Sequence, residues 1–296
     1  MEELTRKPVV VGSFYPEESS RLKKEVEGCF LSEFGPGKFP PSTNLTDVKG
    51  IIVPHAGYQY SGAAAAHAYS AISNIKPDII VILGPAHTGL GKVASIWQGS
   101  DWETPLGLIK IDRVLALNLK GELYDFDLEP HLQEHSIEVQ LPFLQTIYQD
   151  NLPLVVPILY SVFPEFEICR ELGRKLADAI QKSNKKVLLI ASSDFTHYGV
   201  NYGFLPFFGP KSEISRKLAV LDYKAIDKIE KLDVKDFIEY VKDESIPICG
   251  ATAIAVFLFA LRELGAEKGQ LLKYYTSGDI TNDFSSSVSY ASIVFK

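Results

Sequence analysis

The sequence predicts an α/β fold: a single domain over residues 1–296, with helices layered on both faces of a mainly parallel or mixed central sheet. Three observations lead there. Four short runs, at 50–53, 79–83, 152–159 and 186–191, are apolar at nearly every position, the pattern of strands covered on both faces. Helix-like stretches alternate with them, as crossover connections between parallel strands require. The chain of 296 residues is 46% hydrophobic and 23% charged, enough for a sizeable core, and carries neither an internal repeat nor a low-complexity segment.

Taken in order, residues 9–16 read as an extended segment that turns at Pro16, with Phe14 and Tyr15 at the mouth of an amphipathic helix over 17–31. Residues 35–43, rich in Pro and Gly, form a surface connection. The run at 50–53 stops at Pro54 and presents His55, after which Ser61 supplies a capping hydroxyl for an Ala-rich helix. The run at 79–83 leads into Gly84-Pro-Ala-His87 and completes a βαβ unit. Short strands around 97–102 and 106–110 add antiparallel edges, and a helix over 112–120 follows. Residues 134–144 put Ile137, Leu141 and Leu144 on one helical stripe, with His135 at its start and Pro142 at a kink or near its N-terminus.

A strand at 152–159, a helix over 165–182 and a strand at 186–191 lead to Ser192-Ser-Asp-Phe-Thr-His197. Residues 203–211 read as a flap near a pocket, and 214–242 as several short helices. Cys249 stands where an apolar helix begins, so free N–H groups and the helix dipole favour its thiolate. Strands at 271–276 and 287–295, joined by a polar loop over 277–283, close the chain.

A net charge of −7 with no basic cluster argues against a nucleic-acid partner. The N-terminal residues lack the apolar core of a signal peptide, and the longest apolar run, 253–261, is too short to span a bilayer, so a cytoplasmic protein without membrane attachment is expected. Cys29, Cys169 and Cys249 are an odd, widely spaced set without a CxxC pair, which fits a reducing compartment.

In open α/β sheets, ligands bind beyond the carboxyl ends of the strands. That rule brings His55, His87 and the Asp194/His197 pair toward one place, with Cys249 joining from its helix. Two neutral imidazoles and a thiolate suit iron, copper or zinc, and fewer than four protein ligands leave room for substrate, water or dioxygen. His197 is the candidate for a free acid or base, with Asp194 three residues away to orient it. Glu134 and His135 read equally as a pair supporting the site or as a helix cap. Tyr58 and Tyr60 read as pocket hydroxyls or as packing.

Each of these residues has an ordinary reading when taken singly: a His after a strand more often holds a loop, and a Cys beside an apolar helix usually packs. The combination favours a site, because three of the six histidines sit in strand-end loops where Gly57, Gly84, Gly89 and Gly199 permit close approach. His67, His131, Cys29 and Cys169 read as structural. The absence of GxSxG, P-loop and GxGxxG patterns argues against the commonest hydrolase and nucleotide-binding chemistries. Nucleophilic catalysis by Cys249 with His197 is a lesser option.

Six stretches together resemble the Memo family, named for a mediator of cell motility, over nearly the whole chain. They are Gly12-Ser-Phe-Tyr15, Pro54-His-Ala-Gly-Tyr-Gln-Tyr-Ser-Gly62, Leu83-Gly-Pro-Ala-His87, Glu134-His-Ser-Ile-Glu138, Ser192-Ser-Asp-Phe-Thr-His197 and Ile248-Cys-Gly250. The resemblance implies a fold like that of class III, LigB-type extradiol dioxygenases, whose non-heme iron is held by two histidines and a glutamate. It implies His55, His87 and Cys249 as metal ligands for Fe(II) or Cu, with Cys249 in place of that glutamate. It implies His197 as the acid/base, and Phe14, Tyr60 and Asp194 as pocket positions, Phe14 standing where the family has Trp. The implied function is that of a metal-binding redox protein. The alternative is a non-catalytic binding module that takes a peptide or a small anionic ligand in the same pocket.

Overall fold

The computed structural model describes residues 4–296; Met1, Glu2 and Glu3, part of the N-terminal stretch read for signal character, lie outside the described residues. The first half of the chain forms α1 (Ser19–Leu31), β1 (Gly50–Val53), α2 (Tyr58–Ile72), β2 (Ile79–Pro85), β3 (Ala94–Ile96), β4 (Trp102–Thr104), β5 (Gly107–Ile109), α3 (Arg113–Leu119) and β6 (Tyr124–Phe126). Next come α4 (Leu141–Tyr148), β7 (Leu154–Tyr160), α5 (Phe166–Ser183), β8 (Val187–Ser192) and β9 (His197–Gly199). The chain ends with α6 (Lys211–Glu230), α7 (Val234–Asp243), α8 (Ala251–Glu263), β10 (Gly269–Thr276), α9 (Ser277–Thr281) and β11 (Ser286–Phe295).

One mixed sheet organises these elements in the order β10-β11-β1-β8-β2-β7-β3-β6, with β9 paired to β11. Its centre, β1-β8-β2-β7, is parallel, whereas β11 joins β1 and β3 joins β7 in antiparallel fashion. Every residue of β1 and β2 is buried, as expected of strands with helices on both sides. Their side chains alternate between two cores. Ile51, Val53, Ile80 and Ile82 pack with α1, α2 and α4, while Ile52, Ile79, Val81 and Leu83 pack with α5 and α8.

The helices follow their sequence patterns. On α5, Cys169, Leu172, Gly173, Leu176 and Ile180 form the buried stripe, and Asn184 ends the helix in a left-handed conformation. Helix α8 is buried from Ala251 to Leu261, the behaviour of a helix that is apolar all round. Gly173 lets the two meet, since a Cβ there would lie 2.4 Å from the Phe259 Cβ. Among the described residues, no helix is long and apolar enough to cross a membrane.

Several local expectations differ. Helix α2 starts at Tyr58 with Gly57 at its N-cap, so Ser61 lies inside the helix and its hydroxyl donates to Ala56 O at 2.8 Å. Residues 97–101 are not strand; β3 ends before them, and β4 and β5 form a separate antiparallel pair. The stretch 134–144 is not one helix: Glu138–Gln140 forms a 3-10 turn, and α4 starts at Leu141 with Pro142 in its first turn, where a missing N–H costs nothing. Residues 211–230 make one long helix rather than short pieces. The polar 277–283 segment contains α9, started by a reciprocal cap between Thr276 and Asp279.

Candidate functional site

Three adjacent strands end together. In the sheet β8 lies between β1 and β2, with Val53 opposite Ser192 and Leu83 opposite Ala191. The chain leaves each carboxyl end and within two residues presents His55, His87 or Asp194. A cavity of about 660 Å³ opens there, lined by Phe14, Tyr60, His55, His87, His135, Asp194 and His197 among others. Cys249, just before the N-cap of α8, places its Sγ 3.2 Å from His55 Nε2.

One ligand atom from each of His55, His87 and Cys249 lies within 4.8 Å of the others. The surrounding hydrogen bonds assign the imidazole protons. His55 Nδ1 is 2.9 Å from Ser192 Oγ. His87 Nδ1 is 2.9 Å from the Glu134 carboxylate, which also accepts the backbone N–H groups of His87, His135 and Ser136. His197 Nδ1 donates to the carbonyls of Phe195 and Pro247 at 2.9 and 3.0 Å. In each case Nδ1 is tied to the protein, while Nε2 of His55 meets Cys249 Sγ and the His87 ring also bonds Cys249.

Electrostatics follow from this crowding. Burial drives His55 far below its ordinary value, reinforced by the neighbouring imidazoles, so it is neutral. Burial also lowers His135 to about 4. For His87, burial favours the neutral ring, but Cys249 and Glu134 outweigh it and raise the group to about 10. Burial opposes ionisation of Glu134, yet the His87 bond and its neighbours bring it down to about 2. Burial pushes the Cys249 thiol up, against the pull of His87. Burial thus outweighs the helix dipole expected to favour the thiolate.

The structure separates other expected site residues. Asp194 does not orient His197: its Oδ1 accepts the His55 N–H at 2.8 Å, and backbone carbonyls hold His197 instead. Tyr58 is not in the cavity; it is buried against Tyr15 and Phe143 and donates to Val139 O at 2.6 Å. Glu134 is buried behind His87 and His135 rather than lining the pocket, and it does not cap a helix. His135 lines the cavity with its ring stacked on His87 at 4.7 Å and beside Phe14 at 4.8 Å. Residues 203–211 do not lie over this cavity; Leu205, Phe208 and Gly209 line a separate groove next to α6.

Sequence reasoning missed the outer wall, made by Tyr202, Ser277, Thr281, Ser286 and Tyr290. The one available signal was the alternation of β11, since Ser286, Val288 and Tyr290 share a face and all line the cavity.

Comparison with known proteins places these features in a wider set. Residues 6–294 match the family model described as Memo-like protein. The chain is 39% identical to a MEMO1 family protein of Methanopyrus kandleri over 99% of both chains. It is 41% identical to a MEMO1 family protein of Desulfurococcus amylolyticus over 98% of both. The crystal structure of an uncharacterized protein from Escherichia coli K12 is similar with a TM-score of 0.53 at 13% identity, covering 84% of this chain and 99% of that one, a likeness of fold alone.

Proposed function

The chain belongs to the Memo family, and from that premise we propose that it is a metal-binding redox protein in which His55, His87 and Cys249 hold one Fe(II) or Cu ion. The observation that carries the reading is the convergence of these three ligand atoms within 4.8 Å. The donor set fits such an ion: two imidazoles whose Nδ1 atoms are already engaged, and a sulfur that makes the site softer than a carboxylate would. When bound, the metal would supply one-electron or Lewis-acid chemistry.

The remaining residues act around it. Glu134 orients His87, Asp194 holds the loop of His55, and His197 takes or gives a proton at Nε2. Phe14, Tyr60 and His135 shape access from the cavity. A cytoplasmic setting suits three free cysteines.

Metal analysis after anaerobic purification tests the proposal. Wild-type protein should carry or take up close to one equivalent of iron or copper, and a His55→Ala, Cys249→Ala double variant should not. Equal, negligible uptake by both would rule the site out. The second reading, a binding module for a peptide or small anion, draws on the hydroxyl-lined outer wall at Ser277, Thr281 and Ser286. Saturable ligand binding that chelators leave unchanged, without redox turnover, would favour it.

A further inference from the structure

Behind His55 lies a buried chain of hydrogen bonds in which Ser192 and Gln140 are the central members. Gln140, Ser192, Ser136, Tyr69 and His55 are all buried. Gln140 Nε2 faces Pro54 O at 3.0 Å. A carbonyl only accepts, so the atom facing it must be the amide nitrogen. With that orientation the Tyr69 hydroxyl donates to Gln140 Oε1 at 2.8 Å. The second N–H of Gln140 therefore points at Ser192 Oγ, 2.9 Å away.

Ser192 has a single hydroxyl proton, and it is committed to Ser136 O at 2.6 Å. Two lone pairs remain on Oγ. One accepts from Gln140, and the other faces His55 Nδ1 at 2.9 Å. If that ring nitrogen lacked its proton, two lone pairs would face each other in a dry interior, where no water relieves them. We infer that Ser192, oriented by Gln140, is a positioning residue that holds His55 in its Nδ1-protonated tautomer and presents Nε2 as a bare lone pair toward Cys249. The two carbonyls at the ends of the chain, Pro54 O and Ser136 O, set the direction of every proton in it.

The inference rests on the metal-site reading only for its consequence, ligand readiness; the tautomer itself belongs to the metal-free protein. Its test therefore has two arms. In chelator-treated protein, long-range proton–nitrogen correlation spectra of the imidazoles, with His55 identified by its loss in His55→Gln, report which nitrogen carries the proton. Wild type should show a protonated Nδ1. Ser192→Ala should shift His55 toward the Nε2-protonated form, and Ser192→Thr, which keeps the hydroxyl, should restore the wild-type pattern. A merely structural role for Ser192 would not move the tautomer. A wild-type His55 protonated at Nε2 overturns the inference whatever the Ser192 variants do, and so does a Ser192→Ala spectrum that matches wild type.

The second arm is anaerobic Fe(II) titration, in which Ser192→Ala should bind roughly 10–100-fold more weakly than wild type, the usual effect of losing the partner that orients a ligand. Equal affinities would overturn the proposed consequence. Should wild type bind no Fe(II) or Cu at all, the metal reading falls while the spectra still decide the tautomer.

Discussion

Asp194 Oδ1 lies 2.8 Å from the backbone nitrogen of His55, a bond between two neighbouring strand ends separated by 139 residues in the chain. It fixes the loop that carries His55, and Asp194 is itself buried, so its removal strands a donor where water does not reach. Asp194→Ala should lose about 1–3 kcal/mol of stability by denaturant titration. Asp194→Asn retains an oxygen acceptor and should lose less. If the two variants match wild type, the bond does not hold the loop.

Gly250 separates Cys249 from α8. A Cβ at Gly250 would lie 2.5 Å from Ser193 Cβ and 2.7 Å from Ser192 O, closer than packed atoms approach. Backbone must shift, and Cys249 is the adjacent residue. Gly250→Ala should cost roughly 1–3 kcal/mol, the range for overpacking, and should weaken binding of a thiolate-seeking metal beyond what the stability loss explains. Unchanged metal affinity would show that the Sγ position tolerates the shift.

The strand ends were legible because runs such as 79–83 are apolar on both faces and stop at Gly or Pro, which marks where a loop carrying His55 or His87 must emerge. The parallel centre follows from the same runs. The partners within the site were not legible. Asp194 and His197 are three residues apart, a spacing that suggests contact, yet β9 turns away to pair with β11 and carries His197 to backbone carbonyls instead. Tyr58 reads as a loop residue until α2 proves to begin at it, which turns its ring into the core. Long-range pairing decides such cases, and one sequence does not contain it.

The N-terminal segment is fastened by Glu138, which is buried and accepts from Arg6, from the backbone of Val9 and Val10 at 3.0 and 3.1 Å, and from the Tyr15 hydroxyl at 2.6 Å. Arg6 also donates to the carbonyls of His131 and Glu134 and lies over the Trp102 ring. Removing one member of a buried ion pair costs about 3–5 kcal/mol. Glu138→Ala should therefore destabilise the protein strongly and expose residues 6–15, which carry Phe14 to the cavity wall, to limited proteolysis. Arg6→Ala removes the other member and should be comparably destabilising, because it leaves the buried Glu138 carboxylate without its counter-charge and the carbonyls of His131 and Glu134 without their donor. Equal protease resistance in Glu138→Ala and wild type would count against the fastening.

The metal-free protein should lose stability in acid in two steps. His135 is depressed from 6.5 to about 4 and Glu134 from 4.5 to about 2 in the folded state. A group with a depressed folded value contributes stability above its unfolded value and loses it as pH falls through the folded one. His135 thus acts between pH 6.5 and 4, and Glu134 between 4.5 and 2. Each shift corresponds to roughly 3 kcal/mol, with the two sharing part of it because the groups touch. His87, raised to about 10, runs the other way: its contribution is whole below 6.5 and fades as pH rises through 10. Between pH 7.5 and pH 5 in urea unfolding, His135 should cost wild type about 2 kcal/mol. His87 regains part of its contribution over the same interval in wild type and variant alike, so the comparison with a His135 variant carries the test. His135→Gln, which cannot take up a proton, should lose markedly less over the same interval, and an equal loss would assign the acid sensitivity to another group.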